Sequence, residues 1–342
     1  MVKCRQWFWL VSVLCFSACF GQGGYPEGEE AAWFRLTEDR AVVTVSPYDG
    51  TADTLYVEAP VKRLVCMSTS YIGFLEEIGM EEVVKGVSGV RFVTNPAVRA
   101  HAAEVGYEAA PDYETILSLR PDLVVTYTVS SVLPTYIVKL RSLGVRVLIL
   151  YEHLEPHPLG KAEYVRLFGT LTGKREAADS AFAAVARKYE ALALPEDLPG
   201  RKKVLVNMPY GDQWYVPGAE NYLSRLVRDA GGEILGAETG TGQSTVISVE
   251  QAYKFSQEAD LWLHPGVCRT KAQLRAAHPL FTVFPVLERG VYNNILRAEN
   301  GGGNDFWESG AMHPERILED LVSILHPECS AGEDLFYYME LE

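Results

Sequence analysis

The sequence predicts an α/β protein in which two lobes, each built on a parallel sheet, are joined by a long α-helix and enclose a ligand cleft. Three observations predict this fold class. Short apolar runs alternate with helical stretches in both halves of the chain, which is typical of buried parallel strands. One long helical stretch separates the halves. A motif of N-cap, short helix and buried strand occurs once in each half.

The amino-terminal segment, residues 1–19, is predicted to be a lipoprotein signal peptide. Two basic residues precede an apolar run from Trp7 to Phe16, which at about ten residues is too short to span a bilayer as a helix. Two small residues stand directly before Cys19, as at a bacterial lipoprotein processing site, so Cys19 is expected to carry the lipid. The alternative is an ordinary signal peptide cleaved nearby.

The first half of the remaining chain is predicted to hold a tether, a β ribbon and the first lobe. Residues 20–59 form the tether and the ribbon, whose strands alternate around a turn at 46–50. Residues 60–160 form the amino-terminal lobe, where apolar runs alternate with helical spacing. Strands are predicted at 63–67, 83–87, 122–127 and 145–150, and helices at 70–79, 112–119 and 132–143.

A helical linker, residues 161–195, is predicted between the lobes. It is interrupted at Gly173, and its second piece carries Phe182, Val185 and Tyr189 at helical spacing. Roughly 20 residues at 1.5 Å each give a helix of about 30 Å. A single helix between two lobes predicts limited hinge motion, because bending a helix breaks its backbone hydrogen bonds.

The second half is predicted to repeat the α/β alternation in a carboxy-terminal lobe, residues 196–330, followed by a tail at 331–342. No segment after the signal reaches eighteen consecutive apolar residues, so no membrane-spanning helix is expected there. Strands are predicted at 203–208, 233–236, 260–264 and 290–294, and helices at 219–230, 249–257, 271–276 and 313–325.

The duplicated motif places a glutamate at the second helical position in each lobe. Asp112 caps the helix that carries Glu114, and Ser248 caps the helix that carries Glu250. Capping alone explains such a residue, because a carboxylate at a helix N-terminus gains about 0.3–1 kcal/mol from the helix dipole. The same arrangement in both lobes favours a second interpretation, in which a basic partner grips the protein at two points.

Four segments resemble a known family. They are Val61–Val65, Glu114–Val125, Leu171–Lys174 and Asn304–Glu308, and they are similar to the helix-linked substrate-binding proteins of ABC importers, the periplasmic group that serves cobalamin, haem and ferric siderophores. The resemblance covers about residues 60–327. It implies a monomer that is lipid-anchored in the periplasm, carries an iron complex or cobalamin, and delivers it to an ABC permease dimer.

The resemblance also bears on the two glutamates. In that family a glutamate from each lobe engages arginines of the permease, which implies a docking role for Glu114 and Glu250.

Ligands of parallel sheets bind beyond the carboxyl ends of the strands, and the residues expected there are largely aromatic. Flat aromatic faces suit a large macrocycle or a metal chelate, although each ring could instead pack inside a lobe. The resemblance supports Tyr107, Trp214 and Tyr215, whose positions match segments that line the cleft in that family. The aromatic candidates are Tyr71, Tyr107, Tyr127, Trp214, Tyr215 and Trp307.

Three charged or titratable residues are further candidates. Arg91 and Arg297 could pair with anionic groups of a ferric siderophore or with haem propionates, or lie solvated at the surface. His264 could ligate haem iron, but it precedes a proline at a strand end, which favours a structural role. No group of several histidines with an acid stands at metal-site spacing, so no metal site of the protein's own is expected.

Composition and motifs exclude other classes of function. The net charge of −14 leaves no basic stripe for nucleic acid. P-loop, nucleophile-elbow and zinc-protease motifs are absent from the sequence, so neither an enzyme nor a cofactor is expected. The alternative is a chelatase or metal-inserting enzyme on the same two-lobed fold, with an essential cleft histidine such as His264.

Three widely spaced cysteines, Cys66, Cys268 and Cys329, predict no disulfide framework.

Overall fold

The computed structural model describes residues 30–329, 332 and 334–342. The predicted signal peptide and Cys19 lie outside these residues. Within the described part of the chain, no helix is both long enough and apolar enough to cross a membrane.

The chain enters through the predicted β ribbon, a three-stranded antiparallel meander of β1 (Phe34–Leu36), β2 (Ala41–Val45) and β3 (Ala52–Tyr56). Two carboxylates hold the segment that leads into it. The Glu163 carboxylate accepts hydrogen bonds from the backbone N–H groups of Glu30 and Ala31 at 2.6 and 2.8 Å. The Glu155 carboxylate accepts hydrogen bonds from the backbone N–H groups of Ala32 and Trp33 at 2.8 and 3.1 Å. The ribbon is therefore fixed to the first lobe.

The amino-terminal lobe is a five-stranded parallel sheet of order β10-β9-β4-β5-β6, as the apolar runs predict. Both faces of the sheet are buried. Its elements are β4 (Leu64–Cys66), α1 (Ser70–Glu77), β5 (Val84–Val87), α2 (Pro96–His101), β6 (Ala103–Glu104), β7 (Gly106–Tyr107), β8 (Ala110–Pro111), α3 (Tyr113–Ser118), β9 (Leu123–Tyr127), α4 (Thr135–Ser142) and β10 (Val147–Leu150).

The linker consists of α5 (Pro158–Ala162), α6 (Tyr164–Thr172) and α7 (Arg175–Leu192). Gly173 ends α6 in the left-handed conformation, with φ of 75°, which explains the predicted interruption. The 18 residues of α7 span about 27 Å at 1.5 Å per residue.

The carboxy-terminal lobe has a second sheet, of order β13-β11-β15-β16-β17, in which only β17 is antiparallel to its neighbour. A small hairpin, β12 with β14, lies outside it. The elements are β11 (Lys202–Val206), β12 (Trp214–Val216), α8 (Tyr222–Asp229), β13 (Gly232–Ile234), β14 (Thr245–Ile247), α9 (Val249–Glu258), β15 (Leu261–Leu263), α10 (Lys271–Ala277), β16 (Val291–Asn293), α11 (Pro314–Leu325) and β17 (Met339–Glu340).

Residues 334–342, which lie in the predicted tail of 331–342, instead contribute to this lobe. Tyr337, Tyr338 and Leu341 are fully buried, and β17 pairs with β16. The Asp320 carboxylate on α11 accepts hydrogen bonds from the backbone N–H groups of residues 336–338. The final residues therefore complete the sheet.

The duplicated motif is equivalent in the two lobes down to single hydrogen bonds. Asp122 follows α3, and its carboxylate accepts from the backbone N–H of Arg63 at 3.0 Å. Asp260 follows α9, and its carboxylate accepts from the backbone N–H of Lys203 at 2.8 Å. Each aspartate thus joins the start of its own strand to the start of the neighbouring parallel strand.

The lobes are joined by more than the linker helix. Helix α7 packs on α6 and α11, α6 packs on α1, and one apolar core runs through both lobes. Gly73 of α1 lies against the second lobe so closely that a Cβ there would be 2.3 Å from the carbonyl oxygen of Glu308. The Glu308 carboxylate accepts from the backbone N–H groups of Asn95 and Thr94 at 2.7 and 2.8 Å.

A histidine completes this interlobe contact. His313 Nε2 lies 3.2 Å from the Glu77 carboxylate of α1, and Nδ1 lies 3.0 Å from that of Glu315. Burial opposes a charge on the ring, but hydrogen bonds to Glu315 and Glu77 outweigh it and raise the pKa of His313 to about 9. The ring is therefore an imidazolium at neutral pH, held between acids of both lobes.

Gly73→Ala is expected to destabilise the protein by about 1–3 kcal/mol, because the added methyl overpacks the backbone of Glu308. Urea unfolding measures the change. Glu76→Ala is the matched control, because Glu76 is exposed on the same helix. A Gly73→Ala protein more stable than wild type would mean that helix propensity outweighs the interlobe contact.

The free energy of unfolding is also expected to fall as the pH rises. The pKa of His313 is raised from 6.5 to about 9, so its ion pairs contribute fully below about pH 6.5 and are lost as the pH rises through about 9. The loss should reach at most about 3 kcal/mol. Urea unfolding at about pH 6 and about pH 9.5 tests this. His313→Asn should be less stable at the lower pH and should lack most of the fall; an undiminished fall would contradict the assignment.

Candidate functional site

A cavity of about 770 Å³ lies between the lobes. A neighbouring cavity of about 520 Å³ lies on the side of the first lobe. The two share His153, Gly302, Asn304 and Trp307 among their lining residues, so they form one continuous cleft. Each of the two cavity volumes falls in the range of ligand sites in proteins.

The first lobe lines the cleft with residues that follow its strands, as expected for parallel sheets. Ser68 follows β4, Ser88 follows β5, and Tyr127 ends β9. Glu152 and His153 follow β10. Tyr127 and His153 contact each other edge to face, with ring centroids 5.3 Å apart.

The second lobe contributes several side-chain amides to the lining of the larger cavity. Asn207 follows β11 and Asn294 follows β16. The Asn294 side-chain amide is buried, and its Nδ2 has no hydrogen-bond partner among the described residues. The full set of amide side chains in the lining is Asn207, Asn221, Asn294, Asn300 and Asn304.

Formal charges in the larger cavity are few. Glu299 pairs with Arg99 at 2.5 Å, and the guanidinium of Arg269 donates to the carbonyl oxygens of Ile295 and Ala298. Lys161 Nζ lies 4.9 Å from the ring centroid of Tyr222. Burial lowers the pKa of Lys161, while Glu152 and Glu155 favour its charged form.

His264 lines the larger cavity, but its ring is engaged within its own lobe. Its Nε2 lies 2.7 Å from the Tyr338 hydroxyl, and the two rings stack at 5.5 Å. Burial lowers its pKa to about 4, so the imidazole is neutral. With Nε2 engaged by Tyr338, His264 has the structural role that its place before a proline favours, rather than that of a haem ligand.

A family model described as periplasmic binding protein matches residues 64–273, more than half of the chain. The chain belongs to the periplasmic binding protein family. Together with the linker helix and the two sheets, this membership confirms the helix-linked, two-lobed architecture that the sequence predicts. Nothing in the match or in the described structure supports the chelatase alternative.

Relatives of this binding protein include lipoproteins. An uncharacterised lipoprotein of Methanocaldococcus jannaschii is 24% identical over 304 residues, covering 83% of this chain and 70% of that protein. A cobalamin-binding protein of Halobacterium salinarum is 25% identical over 239 residues, covering 69% of this chain and 60% of that protein. The second alignment spans less than two thirds of its relative's length.

Solved structures share the fold. A periplasmic binding protein of Veillonella parvula superposes with a TM-score of 0.63 at 17% identity, covering 84% of this chain and 98% of that one. A periplasmic haem-binding protein of Pseudomonas aeruginosa gives 0.62 at 18%, covering 82% and 98%. A periplasmic vitamin B12 binding protein of Vibrio cholerae gives 0.58 at 14%, covering 78% and 97%. At these identities the likeness concerns the fold alone.

Three of the predicted cleft aromatic residues line the cleft of this binding protein. Tyr107 and Tyr127 line the smaller cavity, and Trp307 lines both. Trp307 is 56% exposed, so its indole is available to a ligand. Burial, with Glu108 close by, raises the pKa of Tyr127, which keeps its hydroxyl protonated.

Two predicted cleft aromatics are instead core residues, which corrects the expectation for Tyr71 and Trp214. Both side chains are fully buried. Tyr71 packs on Phe168 at 5.8 Å. Trp214 stacks on Trp262 at 5.6 Å, and its Nε1 donates to the carbonyl oxygen of Val206. Lobe packing therefore accounts for both rings.

Three other predicted residues lie outside the lining of these two cavities. Arg91 is exposed and covers the ring of Phe92 at 4.4 Å. The Tyr215 hydroxyl donates to Gln213. Arg297 forms an ion pair with Asp305 at 2.5 Å and lines a separate polar pocket. The two arginines are thus not positioned as anion ligands of the cleft.

Residues that the sequence reasoning missed include Glu152, His153, Lys161 and Asn294. The signal for the first two was present, because they directly follow the fourth strand of the first lobe. Ligands gather beyond the carboxyl ends of parallel strands, and this rule therefore also indicates the segment after that strand. Lys161 lies on a helix, and its approach to the cleft depends on the packing of the lobes.

The docking candidates have equivalent local structure. Glu114 and Glu250 are exposed at the second positions of α3 and α9. The predicted caps are present, since Asp112 accepts from the backbone N–H of Thr115 at 2.9 Å and Ser248 accepts from that of Gln251 at 3.2 Å. Their role in contacting a partner remains a prediction.

The described cysteines Cys66, Cys268 and Cys329 are free thiols. In the part of the chain that the structure describes, no group of three or more His, Cys, Asp or Glu side chains could hold a metal ion.

Proposed function

We propose that this protein is the substrate-binding lipoprotein of an ABC importer, and that it captures a corrinoid such as cobalamin between its lobes. The observation that carries the proposal is the interlobe cleft with its amide-rich lining. An interlobe position makes both lobes part of the site, so a ligand there can be presented to a partner that contacts both. The similarity to a cobalamin-binding protein of H. salinarum supports the same class.

The side-chain amides of the cleft favour a corrinoid within the wider class of haem, ferric siderophores and cobalamin. A corrinoid carries many neutral amides and one phosphodiester, whereas haem carries two carboxylates. Side-chain amides such as those of Asn294 and Asn300 can both donate to and accept from ligand amides. Lys161 is the cation that remains for one negative group, since Arg269 is held by backbone carbonyls.

Aromatic surface supplies the apolar part of the site. Trp307, Tyr107 and Tyr127 face the cleft from the two lobes and offer rigid faces to a flat macrocycle. Such faces bury a large area at little loss of side-chain entropy.

The delivery step is proposed to use Glu114 and Glu250. Both are exposed carboxylates on capped helices, and an aspartate anchors the strand after each helix. Each carboxylate is therefore held on a fixed helix, which suits a partner that presents one arginine site to each lobe. Lipid attachment at Cys19 would hold the protein at the membrane of the cell envelope, close to the permease.

The ligand assignment predicts one-to-one binding of cyanocobalamin, measured by equilibrium dialysis, with weaker binding of haemin or a ferric hydroxamate. Trp307→Ala should weaken cyanocobalamin binding about tenfold through the loss of an aromatic contact. Tyr210→Ala is the matched control, because Tyr210 is 85% exposed and is not part of the cavity lining. Preferential binding of haemin would contradict the corrinoid assignment.

The docking assignment predicts that the double variant Glu114→Ala, Glu250→Ala binds ligand as wild type does but no longer supports uptake by the permease in reconstituted vesicles. The control variant Glu38→Ala, Glu196→Ala removes the same charge from exposed sites elsewhere. Normal uptake with the first variant, or equal loss with both, would refute a specific docking role.

A further inference from the structure

A pocket of about 410 Å³ lies on the second lobe beside β13, which is an edge strand of its sheet. Helix α8 contributes to this pocket and to the interlobe cleft through different residues. Tyr222 and Leu223 line the cleft, whereas Ser224 and Arg228 line the pocket. The pocket is therefore a second cavity, separate from the one to which the corrinoid is assigned.

Two polar atoms of the α8 residues in this pocket have no hydrogen-bond partner among the described residues. They are Ser224 Oγ and Arg228 Nε, and both are shielded from solvent. Ser224 as a whole is only 7% exposed. Shielded polar atoms in proteins are nearly always hydrogen-bonded, and residues four positions apart share one face of a helix. The two atoms therefore indicate a ligand that offers hydrogen-bond acceptors to this face of α8.

The guanidinium of Arg228 is held in place while its Nε remains unused. Its Nη2 donates to the carbonyl oxygen of Ala219 at 3.0 Å and lies 3.8 Å from the Glu220 carboxylate. Nε can only donate, so its partner must be an acceptor. A carboxylate suits this arrangement, because its two oxygens can accept from a guanidinium and from the Ser224 hydroxyl at the same time.

An extended peptide paired with the edge of the sheet fits this region less well. Arg201 Nη1 donates to the carbonyl oxygens of Arg228 and of Gly232 in β13, at 2.8 and 3.1 Å. The carbonyl oxygen of Ile234 accepts from the backbone N–H of Ala237 at 3.3 Å. These internal bonds occupy acceptors of β13 that an added strand would need. The pocket is therefore suited to a small molecule.

The charges around the pocket favour a ligand with a single negative group. Two guanidinium groups, those of Arg201 and Arg228, are balanced by the exposed carboxylates of Glu196 and Glu233, which also line the pocket. These acids would repel a dianion such as phosphate more strongly than a monoanion.

We propose that this pocket binds a small-molecule monocarboxylate with a short apolar part. The carboxylate accepts from Arg228 Nε and from Ser224 Oγ, which turns towards it by rotation about one single bond. The apolar part lies against Ile234, Leu235 and Ala237, which line the same pocket. The volume of the pocket falls in the range of ligand sites in proteins. The inference goes beyond the proposed function and is independent of the ligand in the cleft.

Isothermal titration calorimetry with butyrate, hexanoate and benzoate tests the proposal. At least one of these carboxylates should bind the wild-type protein with a Kd below about 1 mM. The matching neutral amide should bind at least about tenfold more weakly, because it lacks the charge that strengthens the hydrogen bonds. Absence of binding by all three carboxylates, or equal binding of carboxylate and amide, would overturn the proposal.

Two variants locate the binding site on α8. Arg228→Gln should weaken carboxylate binding by about tenfold or more, and Ser224→Ala by about threefold or more. Ser224→Ala should be at least as stable in urea as wild type, because it removes a shielded hydroxyl without a partner; a weaker affinity is then not caused by poor folding. Arg187→Gln is the matched control, because Arg187 is exposed on α7 outside the pocket lining. Wild-type affinity in both α8 variants would overturn the assignment.

The interlobe cleft is the competing site for a carboxylate, because Lys161 lines it. Lys161→Gln should bind the carboxylate as wild type does. Loss of carboxylate binding in Lys161→Gln, with full affinity in Arg228→Gln, would place the carboxylate in the cleft and overturn the proposal. Cyanocobalamin binding is measured separately, so failure of the corrinoid assignment and failure of the second site are distinguishable.

Discussion

The interface between the lobes is the constraint on which the rest of this structure depends. Helix α1 approaches the second lobe so closely at Gly73 that no side chain fits against the backbone of Glu308. The Glu308 carboxylate in turn binds two backbone N–H groups of the first lobe. Burial raises the pKa of Glu308 to about 7, although these two N–H groups favour the charged form. The shared apolar core and helix α7 also fix the separation of the two lobes.

Because the separation of the lobes is fixed, both lobes contribute side chains to the cleft. The shared residues of the two cavities come from both lobes, with His153 on one side and Asn304 and Trp307 on the other. Loop 302–308 therefore contributes to the ligand site and to the interlobe contact at once. A partner that pulls the lobes apart would strain both together, so binding and release are expected to be coupled through this loop.

Much of the architecture could be predicted because the signals are local. The buried strands and the capped helices of the duplicated motif lie within a few residues of their predicted positions, since apolar runs and N-caps are written in neighbouring residues. The site could be predicted only in part. Trp214 and Tyr71 are aromatic residues near strand ends, as expected of cleft residues, but tertiary packing places them in the core. The sequence does not predict strand β17, because its partner, β16, lies far away in sequence.

The central claim is that the two lobes, and with them Glu114 and Glu250, stand at one fixed separation. Electron spin resonance distance measurement between labels at Glu114→Cys and Glu250→Cys tests it directly, with Cys329→Ser added because Cys329 is exposed while Cys66 and Cys268 are buried. The account predicts a single narrow distance distribution that cyanocobalamin leaves unchanged. A broad distribution, or one that ligand shifts by several ångströms, would show that the lobes move as hinged bodies and would contradict it.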